Sequence, residues 1–446
     1  MANNLALGID LGTSKVAALI LEADTYKVYT SVSSKTGADL PGPAGYSEQD
    51  PKLIFQALER CIQRLPEKLR AQVKNIGVTG QMHGVVLWSS DTAVSNLITW
   101  QDTRTLAEDF LGHLQEKCTD YALRAGYGMA TLAWLAKNHR MALRRYAFAA
   151  TIHDYLVYRI CELRRPLTDP TNAASWGFYD LRQAKWCIEK VKQAGIPEEL
   201  LPEIRPSGEG AGFLGKTYAK RWNLPVGTPV KVAIGDNQAS LLATLEEPLD
   251  ELALTLGTGG QLSAVLKTLP VNHDSLPPTV EIRPYLNQSY IAVTCVLCGG
   301  TALNWLADSV TKWCHEMEIP APDKEVIFKK IDSLALKHYP SPLKVITSFM
   351  GERHAPALRG SIQGIDLSNF SIGNLSAALA LGVVSNLRNM MPEEFRRSRR
   401  RIVGSGNGLK KSLSVQKAVE VVFNLPLKVI EDYEEAAYGA ARLSLS

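Results

Sequence analysis

Leu7-Gly8-Ile9-Asp10-Leu11-Gly12-Thr13-Ser14, close to the start of a 446-residue chain, returns in outline as Leu254-Thr255-Leu256-Gly257-Thr258-Gly259-Gly260. Each copy is an apolar run that ends in Gly-Thr and a further small residue. Apolar, largely β-branched or leucine runs favour a buried strand, and glycine then permits a tight turn. Backbone N–H groups exposed in such a turn hold phosphate oxygens, and threonine and serine hydroxyls add donors. A single Gly-Thr turn reads equally well as an ordinary hairpin. One copy per half, with an aspartate (Asp10) in the first copy only, points instead to a duplicated α/β fold with a phosphate-bearing ligand.

Working outward, Leu5–Leu11, 16–22 and 27–33 read as a three-stranded start. Apolar Leu53, Ile54, Ala57, Leu58, Cys61 and Ile62 recur at helical spacing and predict a helix over 51–65. Val73–Val78 reads as a buried strand, Val85–Trp88 as another, and 98–102 as a strand end. Residues 103–146 read as helical, broken near Gly126-Tyr127-Gly128. Val230–Ile234 reads as a strand, with a helix from Gln238. The Glu-Glu-Pro-Leu-Asp stretch at 246–250 marks a domain boundary, giving halves 1–247 and 248–446.

The chain has 46% hydrophobic and 21% charged residues and a formal net charge of +4, an ordinary globular balance that gives no argument for nucleic acid or a membrane as partner. The run Arg396, Arg397, Arg399, Arg400, Arg401 reads as an anion patch or, more simply, as a solvated helix end. No leader-like segment precedes the first strand and no stretch is apolar enough to span a bilayer, so a cytoplasmic protein is expected. Seven irregularly spaced cysteines fit reduced thiols. Cys295 and Cys298 form a CxxC without a second ligand pair, which favours buried thiols over a metal site.

Polar residues just past a strand end are the usual ligand groups of α/β folds. Asp10 is a hard oxygen donor suited to Mg²⁺, or a turn-forming residue. Gln81-Met82-His83, between glycines, offers an amide and an imidazole to hydroxyl groups. Trp100-Gln101-Asp102-Thr103-Arg104 puts an aromatic face, a carboxylate and a guanidinium within five residues, which suits a polyol and equally a structural Asp-Arg pair. Asp236 opens a helix, where the local pattern favours a cap. Its position upstream of the second turn also fits a proton acceptor. Gly404-Ser405-Gly406-Asn407-Gly408 lets a backbone approach a base or ribose, or forms a plain loop.

Taken together, these segments resemble the FGGY family of sugar kinases, within the actin, hexokinase and Hsp70 ATPase superfamily. The resemblance covers essentially the whole chain. It extends to Gly351-Glu352-Arg353-His354-Ala355-Pro356 with Arg359-Gly360 and Gly364, and to the closing segment Ala436-Ala437-Tyr438-Gly439-Ala440-Ala441. Thr151-Ile152-His153-Asp154-Tyr155 and Asn172-Ala173-Ala174-Ser175-Trp176-Gly177 resemble the branch acting on seven-carbon ketoses. Gly80–Gly84, Thr99–Asp102 and Gly235-Asp236 with Gln238-Ala239-Ser240 are shared more loosely with xylulokinases.

The resemblance implies two RNase H-like domains around a nucleotide and sugar cleft, and transfer of phosphate from ATP to sedoheptulose, with another polyol as the alternative. It implies Asp236 as base and Asp10 as the residue organising Mg²⁺. Thr13, Ser14, Gly257, Thr258 and Gly259 would line the phosphates, and Gly404, Gly406 and Asn407 the adenosine. Gln81, Met82, His83, Trp100, Asp102 and Asn237 would border the sugar. Many relatives carry lysine seven residues after the first aspartate; here that position is Ala17, and the nearest lysine is Lys15. A monomer or homodimer is expected. An actin-like scaffold shares the Asp-x-Gly-Thr-Ser start but needs neither Asp236 nor the Gln-Met-His segment.

Overall fold

The computed structural model describes residues 4–89, 93–118, 123–430 and 434–445. The chain divides into two compact units. Unit 1 comprises Met1–Ala243, Arg283–Gln288 and Asp432–Ser446, and unit 2 comprises Thr244–Ile282 and Ser289–Glu431.

Unit 1 is built on a mixed sheet. β1 (Leu5–Leu11) is buried along its full length and pairs antiparallel with β2 (Lys15–Glu22), which pairs antiparallel with β3 (Val28–Lys35). β3 alternates between half-buried and exposed residues, the pattern of a strand with one solvated face. α1 (Pro51–Arg64) begins where Asp50 accepts from the Lys52 N–H and Pro51 supplies a preset first-turn φ. It buries Ile54, Ala57, Leu58, Cys61 and Ile62, the stripe its spacing predicts. On the other side of β1, β4 (Val73–Gly80) runs parallel to it. α2 (Ile152–Ile160) and α3 (Pro170–Trp176) follow, capped by Thr151 and Asp169. β5 (Gly210–Phe213) and β6 (Pro229–Lys231) extend the sheet beyond β4, and the two-residue β7 (Ile234–Gly235) pairs with the C-terminal end of β4. α4 (Asp236–Thr244) starts at Asp236, two residues before the predicted start, because β7 ends there.

The C-terminal helix Glu435–Leu443 belongs to unit 1, although a split at residue 247 assigns it to the other half. It lies flush on the sheet. A Cβ on Gly8 would stand 1.9 Å from the Ala437 carbonyl oxygen, and one on Gly77 would stand 1.8 Å from that of Ala440. Only glycine permits this approach.

Two expectations for unit 1 change. The stretch 98–102 is a strand only at Leu97–Ile98 and then turns, with the Asp102 N–H donating to Thr99 O. The predicted helical run 103–146 is a 3-10 turn at Arg104–Asp109 followed by helices at Phe110–Lys117, Gly128–Asn138 and Arg140–Leu143, while 119–122 lie outside the described residues.

Unit 2 repeats the opening. β8 (Glu251–Leu256) and β9 (Gly260–Leu266) form an antiparallel pair around the Gly-Thr-Gly turn. β9 pairs with β10 (Tyr290–Val296), which leads into α5 (Gly300–Glu316). α6 (Ile372–Met390) buries Leu375, Leu379, Val383 and Leu387 in the unit 2 core. β11 (Arg401–Ser405) runs parallel to β8, and β12 (Leu427–Val429) parallel to β11. The basic run at 396–401 is partly tied into this unit: Arg396 donates to Met391 O, Arg399 to Pro248 O and Val265 O, and Arg401 pairs with Glu246 and Glu251, while Arg397 and Arg400 are exposed.

Candidate active site

Three neighbouring parallel strands of unit 1 end side by side. Asp10 of β1 is opposite Thr79 of β4, and Thr79 and Gly80 are opposite Ile234 and Gly235 of β7. The strand ends therefore deliver Asp10, Gln81 and Asp236 to one edge of the sheet, the usual place for ligand groups in such folds. Asp10 is buried, and its Oδ1 meets no hydrogen-bond donor among the described residues. Burial, then the charges of Asp236 and Glu434, push its carboxyl up to about 8, against a smaller opposing pull from Lys15. Burial also lifts Asp236 to about 6, offset by the Asn237 N–H, which Oδ1 accepts at 2.8 Å, and by Arg283. An unpartnered buried carboxylate oxygen is costly unless a cation or a proton completes it.

A polar shell surrounds these carboxylates. Thr13 Oγ1 accepts from Trp100 Nε1 at 2.9 Å and donates to Gln81 Oε1 at 3.3 Å. Gln81 Nε2 donates to Gln49 Oε1, and Gln49 Nε2 donates to Thr13 O and Asp39 Oδ1. This ring fixes the first Gly-Thr turn to Trp100, which keeps 39% of its surface open. Ser14 is exposed beside it. Met82 is buried against Gly235, where a Cβ would stand 2.5 Å from the Met82 methyl. His83 adopts φ +73° and stacks on Tyr127 with ring centroids 4.6 Å apart, while its Nδ1 is 2.6 Å from Ser175 O. A positive φ at a non-glycine residue is stored strain, common beside functional sites. Asn237 is half-buried in the first turn of α4.

One sequence expectation changes, and the place of Lys15, which the sequence left open, is defined. Asp102 does not offer its carboxylate to a ligand. It is 1% exposed; Oδ1 accepts from the Arg104 backbone N–H and Nε, and Oδ2 from the Ser47 N–H and Arg104 Nη2. Arg104 in turn pairs with Glu48 and stacks 4.0 Å from the Tyr46 ring. Asp102 is framework. Lys15 is held by Glu434 at 2.6 Å, and Ala17 is fully buried against Ala437 and Ala441, leaving no room for a lysine there.

Unit 2 gathers its glycines at strand ends. The Gly257 N–H donates to Gly259 O, while Gly300 N donates to Gly257 O and Gly299 N to Thr258 O. Thr301 Oγ1 also donates to Thr258 O. The first turn of α5 is thus bonded to the Gly-Thr-Gly turn. Gly404 and Ser405 end β11 beside Leu254 and Thr255, and the Thr255 and Ser405 hydroxyls are 2.9 Å apart. Gly406 has φ +87°, and a Cβ there would stand 2.4 Å from Leu256 O; Asn407 follows it. Three backbone segments meet where side chains would collide, which suits an oligophosphate or a nucleoside.

Sequence models of the N-terminal and C-terminal domains of the FGGY family of carbohydrate kinases match residues 5–243 and 252–445. The chain belongs to the FGGY family of carbohydrate kinases. It is a sugar kinase of the two-domain fold shared with actin and hexokinase, and kinases of this family use ATP. It is 33% identical to the proteins named sedoheptulokinase from Homo sapiens and Mus musculus, over 100% and 99% of this chain and 98% and 97% of theirs. It is 25% identical to a glycerol kinase from Aquifex aeolicus over 74% of this chain and 67% of that one. Among solved structures, a xylulose kinase from Rhodospirillum rubrum superposes with a TM-score of 0.85 at 23% identity, covering 99% of this chain and 89% of that one. A gluconate kinase from Lactobacillus acidophilus gives 0.83 at 21%, with the same shares covered. Relatives named for different sugars share the fold, so the fold alone does not choose the sugar.

For this FGGY kinase, sequence reading missed several residues at the strand ends. Gln49 is 32 positions before Gln81, and no local pattern links them. Gly299, Gly300 and Thr301 were legible only as the end of the CxxC strand; their role in bracing the second turn needs the fold. Cys295 and Cys298 are not joined in a disulfide, the Cys298 thiol is pushed up to about 11 by burial and by Glu352, and the described residues contain no cluster of metal-ligating side chains.

Proposed function

We propose that this kinase phosphorylates sedoheptulose at its terminal hydroxyl, giving sedoheptulose 7-phosphate and ADP. The observation that carries the chemistry is the convergence of Asp10 and Asp236 at strand ends on either side of β4, a buried and a half-buried carboxyl whose environments hold them at different protonation tendencies. Divergent carboxyls of this kind divide into a proton acceptor and a charge-organising group. The sugar identity is supported by two full-length relatives named sedoheptulokinase.

In this reading Asp236 orients the attacking hydroxyl. As its oxygen bonds to the γ-phosphorus and the bond to ADP breaks, the hydroxyl proton passes to Asp236. The loose transition state of phosphoryl transfer means that the proton moves late and a carboxylate suffices as acceptor. Asp10 Oδ1, buried without a donor, fits a hard cation, and Asp10 would hold Mg²⁺. When bound, that ion would neutralise charge on the transferring phosphate. Trp100 offers its open face to the C–H surface of the sugar, while Met82, His83 and Asn237 border its hydroxyls and Gln81 holds Thr13 in place. Thr13, Ser14, Gly257, Thr258 and Gly259 serve the phosphates, and Gly404, Gly406 and Asn407 the adenosine.

The test is ADP release with MgATP across sedoheptulose, xylulose, ribulose, glycerol and no sugar. A kcat/KM for sedoheptulose at least tenfold above the others supports the proposal. Preference for another polyol rejects the sugar and leaves the proposed chemistry standing.

A further inference from the structure

β7 is only two residues long and, among the described residues, pairs with β4 alone, so one side of its backbone faces no described strand. Unpaired backbone groups in a buried setting need other partners. Side chains of α3 supply them at two residues, and Thr79 of β4 adds a bond to the residue between from the paired side. Asn172 Nδ2 donates to Ala233 O at 3.1 Å, Thr79 Oγ1 donates to Ile234 O at 2.7 Å, and the Gly235 N–H donates to Thr171 Oγ1 at 2.9 Å. The next residue is Asp236. Thr79, Thr171 and Asn172 are all 1% exposed or less.

Each clamp residue is itself held. Thr171 Oγ1 donates its one hydrogen to Asp169 Oδ1 at 2.7 Å, which leaves its lone pair to Gly235. Asn172 Oδ1 accepts from His153 Nε2 at 2.9 Å, and this fixes which end of the amide faces Ala233. Asp169 also caps α3 through the Asn172 N–H and accepts from Ser207 on its other oxygen. His153 is fully buried, and burial lowers it to about 4 against the opposing pull of the Asn172 bond, so its ring is neutral at pH 7 with the proton on Nε2. One branch donates from His153 through Asn172 to Ala233 O, and the other from the Gly235 N–H through Thr171 to Asp169, so both hold the peptide groups that lead into Asp236.

We infer that Thr171 and Asn172 at the start of α3, backed by Asp169 and His153, are positioning residues that set the direction of the Asp236 carboxylate. The inference rests on the reading of Asp236 as the proton acceptor. An acceptor misaimed by a fraction of an ångström loses turnover while its substrates still bind, because alignment matters most in the transition state.

The experiment compares Thr171→Val, Thr171→Ser and Asp236→Asn, alone and with Thr171→Val added to Asp236→Asn. All are assayed with the ketose of highest turnover. Thr171→Val keeps shape and removes the hydroxyl. Its kcat is expected to fall about 10- to 100-fold, with sugar and ATP KM within about twofold, and Thr171→Ser is expected to restore most of the loss. In the Asp236→Asn background, Thr171→Val should change the residual turnover by less than about twofold, since there is no longer an acceptor to aim. A folded Thr171→Val with kcat near that of the unmodified enzyme, or a loss carried by KM, overturns the positioning role. Equal losses in both backgrounds also overturn it. Should Thr171→Val not fold, Ser207→Ala decides. It touches the network only at Asp169, and a kcat drop of about two- to fivefold at constant KM is expected, whereas unchanged kcat refutes the inference. An active Asp236→Asn instead removes the acceptor reading, a result distinct from failure of the clamp.

Discussion

Replacing Asp236 by asparagine is expected to make the enzyme worse and the fold better, and the second effect is expected to depend on pH. The catalytic side follows from removing a proton acceptor while keeping its shape. General bases contribute about 10²- to 10⁴-fold, so kcat should fall by that range while sugar and ATP still bind. The stability side follows from the environment. Burial raises the Asp236 carboxyl from 3.8 to about 6, despite help from the Asn237 N–H and Arg283. Between those values the folded protein binds more protons than the unfolded chain, so stability falls as pH rises through that window. The favourable contribution is complete below about pH 4 and lost above about pH 6. A shift of two pKa units corresponds to about 3 kcal/mol at 1.36 kcal/mol per unit, and the partly open setting of Asp236 reduces this to about 1–2 kcal/mol. Asparagine carries no charge to desolvate. The variant should therefore gain about 1–2 kcal/mol over the unmodified protein at pH 8, and little of that gain should remain at pH 4.

Urea unfolding at the two pH values, followed by tryptophan fluorescence, measures the stability difference, and coupled ADP release measures turnover. A variant that keeps near-normal turnover refutes the acceptor role. A stability difference equal at both pH values refutes the burial account, because only a titrating group produces the pH dependence. In the unmodified enzyme, kcat/KM should also drop about tenfold per pH unit below pH 6, as the acceptor becomes protonated.

Asp102→Ala should cost about 3–5 kcal/mol of stability by leaving Arg104 buried without its main partner, which thermal melting would register; a rise in sugar KM with unchanged stability would return Asp102 to the binding surface. Gly439→Ala puts a Cβ 1.8 Å from Ala239 O and should destabilise unit 1 by about 3 kcal/mol; an unchanged melting temperature would show that the C-terminal helix does not depend on that close approach. Gly406→Ala forces a φ of +87° on a side-chain-bearing residue and should raise ATP KM up to about tenfold while leaving sugar KM alone; equal ATP KM in both proteins would remove this turn from the nucleotide site.

What the sequence carried well was chemistry attached to local pattern. A buried apolar run ending in Asp-x-Gly-Thr specifies strand, turn and carboxylate within eight residues, and helix α1 follows from Asp50, Pro51 and one apolar stripe. Asp102 shows where local pattern stops. Trp-Gln-Asp-Thr-Arg fits a sugar cradle and an internal ion pair equally well, and the choice depends on Ser47 and Glu48, more than fifty residues earlier. The tight seating of Gly8 and Gly77 under the C-terminal helix is likewise invisible until residues over 350 positions apart are brought together. The segment from 150 to 230 was legible only as family-like motifs, and the reason lies in how β7 is built. The strand expected over 230–234 is split into β6 and the two-residue β7, which has no periodicity of its own to read and is supported by side chains on helix α3 as well as by β4. Asp236 therefore stands at the end of a two-residue strand, yet with a buried network behind it in which Thr171, Asn172 and Asp169 are paired while the Nδ1 of His153 meets no partner among the described residues. Such networks rigidify the groups they terminate on where the members next to those groups are paired, as Thr171 and Asn172 are here. Loss of the Thr171 hydroxyl should then be felt at Asp236 before it is felt in the fold.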